Sequence, residues 1–234
     1  MDIHKPRPWH GFRELLKETG TIVLGVLIAL GAEQAVETIH WNHKVEILER
    51  AIRAELSNDL GLATEQKMLH PCVMRYLDTL QTAVLSKDAA KIRVLNQMGP
   101  PLAGRAWPRD TWVAALNAQV ADHIPEGRVT AYSRAFLRIG VQREFMQEME
   151  DQFPVALSGG FGLPPDVSVA NGQLVAIQRL RSLEARRLMI SNSLLTEDGP
   201  AVSVAPTTGY LVEDRAFVSA CEARLSEPSA DRLR

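Results

Sequence analysis

Cysteine is scarce in this chain: Cys72 and Cys221 are the only two in 234 residues. That is too few for a disulfide-dense scaffold or a four-thiolate zinc site. An excess of either charge is also missing. Twenty-six Lys and Arg face 28 Asp and Glu, a net charge of −2, so no basic field marks a nucleic-acid partner. Strand signals are few, and alternation survives only in fragments such as Val202-Ser203-Val204. Nucleophile elbows, phosphate loops and zinc-protease pairs are absent. The run Gly159-Gly160-Phe161-Gly162 lacks the preceding strand and the spacing of a dinucleotide site. No motif names a reaction, so neither an enzyme nor a bound cofactor is expected. What is present is ordinary for a folded chain. Hydrophobic residues make up 46% and charged residues 23%, enough apolar surface to offset the entropy of ordering.

The N-terminal segment is the most informative. Residues 19–32, TGTIVLGVLIALGA, carry no charge; Lys5, Arg7, Arg13 and Lys17 precede them, and Glu33 and Glu37 follow. Three readings compete. As a transmembrane anchor the run is short, since fourteen residues cover only about 21 Å of a ~30 Å hydrocarbon core. Snorkelling of Lys17 and extension through Ala35 and Val36 narrow the gap, and Trp9 and Trp41 stand where interfacial aromatics belong. As a secretory signal, it has a basic n-region, an apolar core and small residues near Gly31, but nothing after the core breaks a helix. As a buried core helix of a soluble protein, its length fits. The anchor reading has an orientation, because a modest Lys/Arg bias puts the N-terminus in the cytoplasm and the remainder in the periplasm or at the cell exterior. Thr21, Gly25 and Ala29 recur every four residues, with Glu33 continuing the row. Gly25-xxx-Ala29 lets helix backbones approach closely in lipid, which suits a homo-oligomer or a membrane-protein partner.

The run Leu16-Lys17-Glu18, then Ile22-Val23-Leu24-Gly25-Val26-Leu27-Ile28-Ala29-Leu30, then Trp41, resembles small bacterial single-pass membrane proteins of unknown function. In these a VIGILIAL-like span near the N-terminus runs into a long charged helix. The resemblance implies a membrane anchor and an extramembrane helical domain. It carries no activity and no functional residues.

The rest reads as helices. Leu48, Ile52, Leu56, Leu60 and Ala63 recur every three or four positions, and no proline falls between Trp9 and Pro71. This predicts one helix from about Phe12 to Leu69 and a turn at His70-Pro71. A second helix then carries Val73, Leu77, Leu80 and Val84, and a short one spans Ile92 to Met98. After the loop at 99–104, Asp110 is the expected N-cap of a helix with the stripe Trp112, Leu116, Val120 and Ile124. Pro125-Glu126-Gly127 turns into the clearest period, Val129 to Phe153, with Arg143 as its polar break. A loop is expected from Pro154 to Pro165. The next helix has two stripes, one through Leu174, Ile177 and Leu180 and one through Leu183, Ile190 and Leu194, so it should be central. A loop at 198–209 precedes a last helix with Leu211, Phe217 and Cys221. The expected fold is all-α: a long N-terminal transmembrane and stalk helix leading into an up-and-down bundle of five or six helices. The expected divisions are a cytoplasmic N-terminus (1–18), a span (19–36), a stalk helix continuing into the bundle (37–69), the helical bundle (70–226) and a flexible tail (227–234).

Four features carry candidate chemistry. Cys72 and Cys221 join the two ends of the bundle if both face an oxidising compartment, and otherwise are buried free thiols. Arg105, Trp107, Arg109 and Trp112 concentrate guanidinium and indole groups in one loop, suited either to gripping an anion or to sealing the bundle end. Glu37, His40 and His43 share a helix face, which is either half of a metal site or a polar ring at the headgroup level beside Trp41. Arg179, Arg181, Arg186 and Arg187 are expected to meet Glu144, Glu148, Glu150 and Asp151 in surface salt bridges. The expected role is a non-enzymatic scaffold or interaction subunit in the cell envelope, with lipid as one partner. A small-ligand or anion-binding, sensor-like domain is the alternative, and a metal-dependent enzyme a third.

Overall fold

A computed structural model describes residues 11–102, 104–158, 167–209 and 211–226. The expectations for Lys5, Arg7 and Trp9, for the glycine loop at 159–162, for the tail and for the side chains of Leu211 and Phe217 lie outside the described residues. Among the described residues all regular structure is helical, as the apolar spacing predicts.

Helix α1 runs unbroken from Gly11 to Leu85, 75 residues, roughly 110 Å at 1.5 Å per residue. The expected turn at His70-Pro71 does not occur, and the second predicted helix is the continuation of the first. Pro71 lies within α1 on the solvent side, while Cys72, Val73, Tyr76, Leu77 and Leu80 beyond it are buried. A mid-helix proline costs about 3 kcal/mol. Burying several large side chains at about 1.5–3 kcal/mol each outweighs that. The same reasoning carries helix α4, Glu126–Leu157, past the exposed Pro154, because Ala156 and Leu157 are buried.

The chain then climbs and descends beside α1. The first descending leg is broken into α2 (Ala89–Met98), an irregular stretch, α3 (Asp110–Asn117) and a 3-10 turn at Val120–His123. Its contacts step down α1 in order: Tyr76 Oη donates to the Leu95 carbonyl at 3.0 Å, Arg105 meets Glu65 at 3.0 Å, the Thr111 amide donates to Glu55 at 2.9 Å, and His123 stacks on Trp41 at 3.8 Å. Helix α4 climbs parallel to α1, with Arg128 on Glu49 and Gln142 on Gln66. Helix α5, Val167–Ser193, descends between them, pairing Arg181 with Asp78, Glu184 with His70, and Ser191 with Gln66. After a π-helical turn at Leu194–Asp198 and the one-turn helix α6, Gly199–Ala201, the helix α7, Leu211–Ser226, climbs again along α1. The architecture is therefore an up-and-down bundle with one broken leg.

Local capping differs from expectation. Asp110 is the first residue of α3, and Arg109 is the N-cap with no side-chain capping bond. Glu55 of α1 takes the orphan Thr111 amide instead, so a neighbouring helix supplies the cap. The stripe through Leu116 is also interrupted. Gln119 adopts a left-handed φ of 58°, α3 ends, and Leu116 is exposed.

Packing begins at Val45, so the segment expected as stalk is bundle core for most of its length. Two apolar clusters result. One surrounds Ile52, Leu56, Trp107, Trp112, Tyr132 and Phe136. The other surrounds Tyr76, Leu80, Leu95, Met149, Phe153 and Leu180.

Candidate functional site

Between these two clusters the bundle carries a buried polar layer. Gln142 Nε2 lies within hydrogen-bonding distance of Gln66 Oε1 at 3.0 Å, the Arg187 carbonyl at 2.8 Å and Ser191 Oγ at 2.8 Å. Its two hydrogens serve two of these three at a time. Ser191 Oγ donates to Gln66 Oε1 at 2.7 Å. One turn above, Arg187 is only 4% exposed and donates to Glu184 at 3.1 Å and towards the Met149 sulfur at 3.4 Å. Burial pulls the Arg187 pKa below its usual value, although Glu184 opposes this. Glu184 in turn lies 3.0 Å from His70 Nδ1. A cavity of about 20 Å³ is lined by Glu65, Gln66, Glu184 and Arg187, room for one water. Gln66 Nε2 and Arg187 Nε have no protein partner.

The Arg/Trp loop divides into structural and accessible parts. Trp107 and Trp112 are each 5% exposed and belong to the lower apolar cluster. Trp112 stacks on Phe136 with centroids 5.8 Å apart, so the two indoles act as core. Arg105 reaches back to Glu65. Arg109 extends across α4, its Nη1 3.0 Å from where a Cβ on Gly140 would stand. Any side chain at position 140 would displace that guanidinium. Beside this loop a cleft of about 420 Å³ opens against α4, lined by Arg105, Trp107, Pro108, Arg143, Gln147 and Glu150 among others. Arg143, the expected polar break of the α4 stripe, points into this cleft. Gln142, its neighbour, is the buried polar residue.

The remaining candidates are placed as follows. Thr21, Gly25 and Ala29 lie on the exposed part of α1, and nothing stands within 4 Å of a Cβ built on Gly25. Ile22, Leu24, Leu27 and Ile28 are 59–66% exposed, so the apolar run is not buried inside this chain's own bundle. It forms the one described segment long and apolar enough to cross a membrane. At the junction with the bundle, Trp41 is sandwiched among His123, the edge of His40 at 5.9 Å, and Lys44 at 4.8 Å. Among the described residues no three His, Cys, Asp or Glu side chains come together as metal ligands, so Glu37, His40 and His43 form no such cluster. Cys72 and Cys221 are joined by a disulfide, with Cα atoms 6.3 Å apart. Of the arginine patch, Arg179 pairs with Glu148 as expected, Arg181 turns to Asp78, and Arg187 is internal rather than on the surface.

Two groups escaped the sequence reading. Asp59 is fully buried, neither oxygen has a partner, and burial together with the Glu55 charge pushes its pKa up to about 8. Asp198, also fully buried, is gripped by Arg134 at 2.7 Å and Arg138 at 2.6 Å. The available signal was a polar residue at a core position, as with Asp59 beside Leu56, Leu60 and Ala63. Comparison with protein-family models, curated proteins and solved structures finds no match to this chain, so its geometry alone bears on function.

Proposed function

We propose that this chain is a membrane-anchored helical protein of the bacterial cell envelope, a non-enzymatic scaffold or interaction subunit. One observation carries the reading. The exposed apolar run and the core of the bundle are parts of a single uninterrupted helix, Gly11–Leu85. Apolar side chains exposed around a whole helix stretch need lipid or a partner to cover them. Val45, the first buried position of α1, follows Val36 by only about 13 Å of helix rise. The bundle then rests close to the headgroup layer, with Trp41, Lys44 and His123 at its base, and any tilt of the span is passed on to the bundle. The disulfide supports placing the bundle on the oxidising side, in agreement with the positive-inside bias. The small-residue face at Thr21, Gly25 and Ala29 favours association of spans in pairs or with another membrane protein.

Fractionation with protease access from each side tests this. The full chain should sediment with membranes and resist alkaline extraction, and the bundle should be cleaved only from the non-cytoplasmic side. Recovery as a freely soluble cytosolic monomer with two free thiols overturns it.

A further inference from the structure

The cleft between residues 104–110 and α4 has no part in anchoring. Its volume of about 420 Å³ lies in the range of small-molecule sites. One row of α4 lines it: Arg143, Met146, Gln147 and Glu150, positions that share a helix face. Met146 and Trp107 give it an apolar middle. Along the α4 row the two charges stand at opposite ends, Arg143 at one and Glu150 at the other. Arg143 has no hydrogen bond or ion pair within the described residues. Arg105, the other guanidinium that lines the cleft, is held by Glu65, which leaves Arg143 as the cation without a carboxylate there. Glu150 closes the other end, seven residues on, roughly 10 Å along the helix axis.

We propose that this cleft binds a short peptide with free termini. Its C-terminal carboxylate lies on Arg143, and its N-terminal ammonium lies at Glu150. Guanidinium and carboxylate match in geometry and charge. Three extended residues span about 10 Å, the separation of the two charged ends. The central side chain packs over Met146 and the edge of Trp107. Asp110 lines the same cleft and limits the negative charge it accepts, which favours a single carboxylate over a doubly charged phosphate.

Calorimetric titration of the full chain in detergent tests the assignment with four probes: trialanine, its C-terminal amide, its N-acetyl form and inorganic phosphate. Trialanine should saturate, and blocking either terminus should weaken binding by about fivefold or more. Arg143→Gln should bring trialanine down to the affinity of the amide. Glu150→Gln should remove the penalty of acetylation. Both side chains are exposed, and unchanged thermal unfolding of the variants confirms that folding is not the cause. The assignment is overturned if trialanine fails to saturate by about 10 mM. It is equally overturned if phosphate binds as tightly as trialanine, or if amide and free acid bind the native chain alike.

Discussion

Cys72 of α1 and Cys221 of α7 are separated by 149 residues in sequence and bonded in space. The bond closes nearly the whole bundle into one loop and fixes the last helix to the first. In the chain-entropy account a loop of that length contributes up to about 5 kcal/mol. Reduction, or Cys72→Ser, should lower the melting temperature and loosen α7 first, seen as faster amide exchange there. Protein isolated from cells with thiols trapped and denatured without reductant should show no free thiol; two free thiols would remove the staple.

Asp59 should make stability depend on pH. Its carboxyl ionises near 3.8 in the unfolded chain and near 8 in the folded one. Between those values the unfolded state binds fewer protons than the folded state. Stability from this residue therefore falls as pH rises from about 4 to 8 and changes little beyond that. Asp59→Asn should flatten that slope in denaturant titrations. A slope equal to that of the native chain would mean Asp59 is ionised when folded.

Gly199 is wedged where a Cβ would lie 2.9 Å from Leu60 Cδ1 and 3.0 Å from the Val204 carbonyl oxygen. Leu60 is a flexible neighbour, but the Val204 carbonyl is backbone. Arg53 holds the adjacent Val202 and Ser203 carbonyls at 2.7 and 2.8 Å, so the loop has little room to yield. Gly199→Ala should destabilise the fold by about 1–3 kcal/mol, measured by chemical denaturation. Asp198→Ala should act at the same junction, since it leaves Arg134 and Arg138 without their buried counter-ion.

Gly25→Ile together with Ala29→Ile should weaken association of the spans without touching the bundle. The substituted face is exposed, and its glycine meets no other atom of the chain. Analytical ultracentrifugation in detergent should show a shift toward smaller species at unchanged helix content. An oligomer of unchanged size would assign the contact to another surface.

Much of the bundle was legible in advance because apolar spacing is local. The Val129–Phe153 period and the two stripes of α5 each follow from side chains three and four apart. The breaks were less legible. Pro71 and Pro154 look like stops, and both are carried inside helices because buried neighbours beyond them outweigh one missing hydrogen bond. Asp110 looks like a cap, and Glu55 of another helix supplies the bond. The candidate site was half visible: Arg105 and Trp107 stand in a recognisable loop, but Arg143 and Glu150 join it only across space.

Sequence alone determined that the chain is helical, that its N-terminal run is long and apolar, and the main apolar stripes of the bundle. Those properties depend on neighbours within two turns. Only the tertiary structure decided that the apolar run and the core are parts of one helix, that Cys72 meets Cys221, that Trp107 and Trp112 are structural, and that a charged cleft opens beside them. Such facts depend on residues tens to more than a hundred positions apart, whose meeting is set by how whole helices pack.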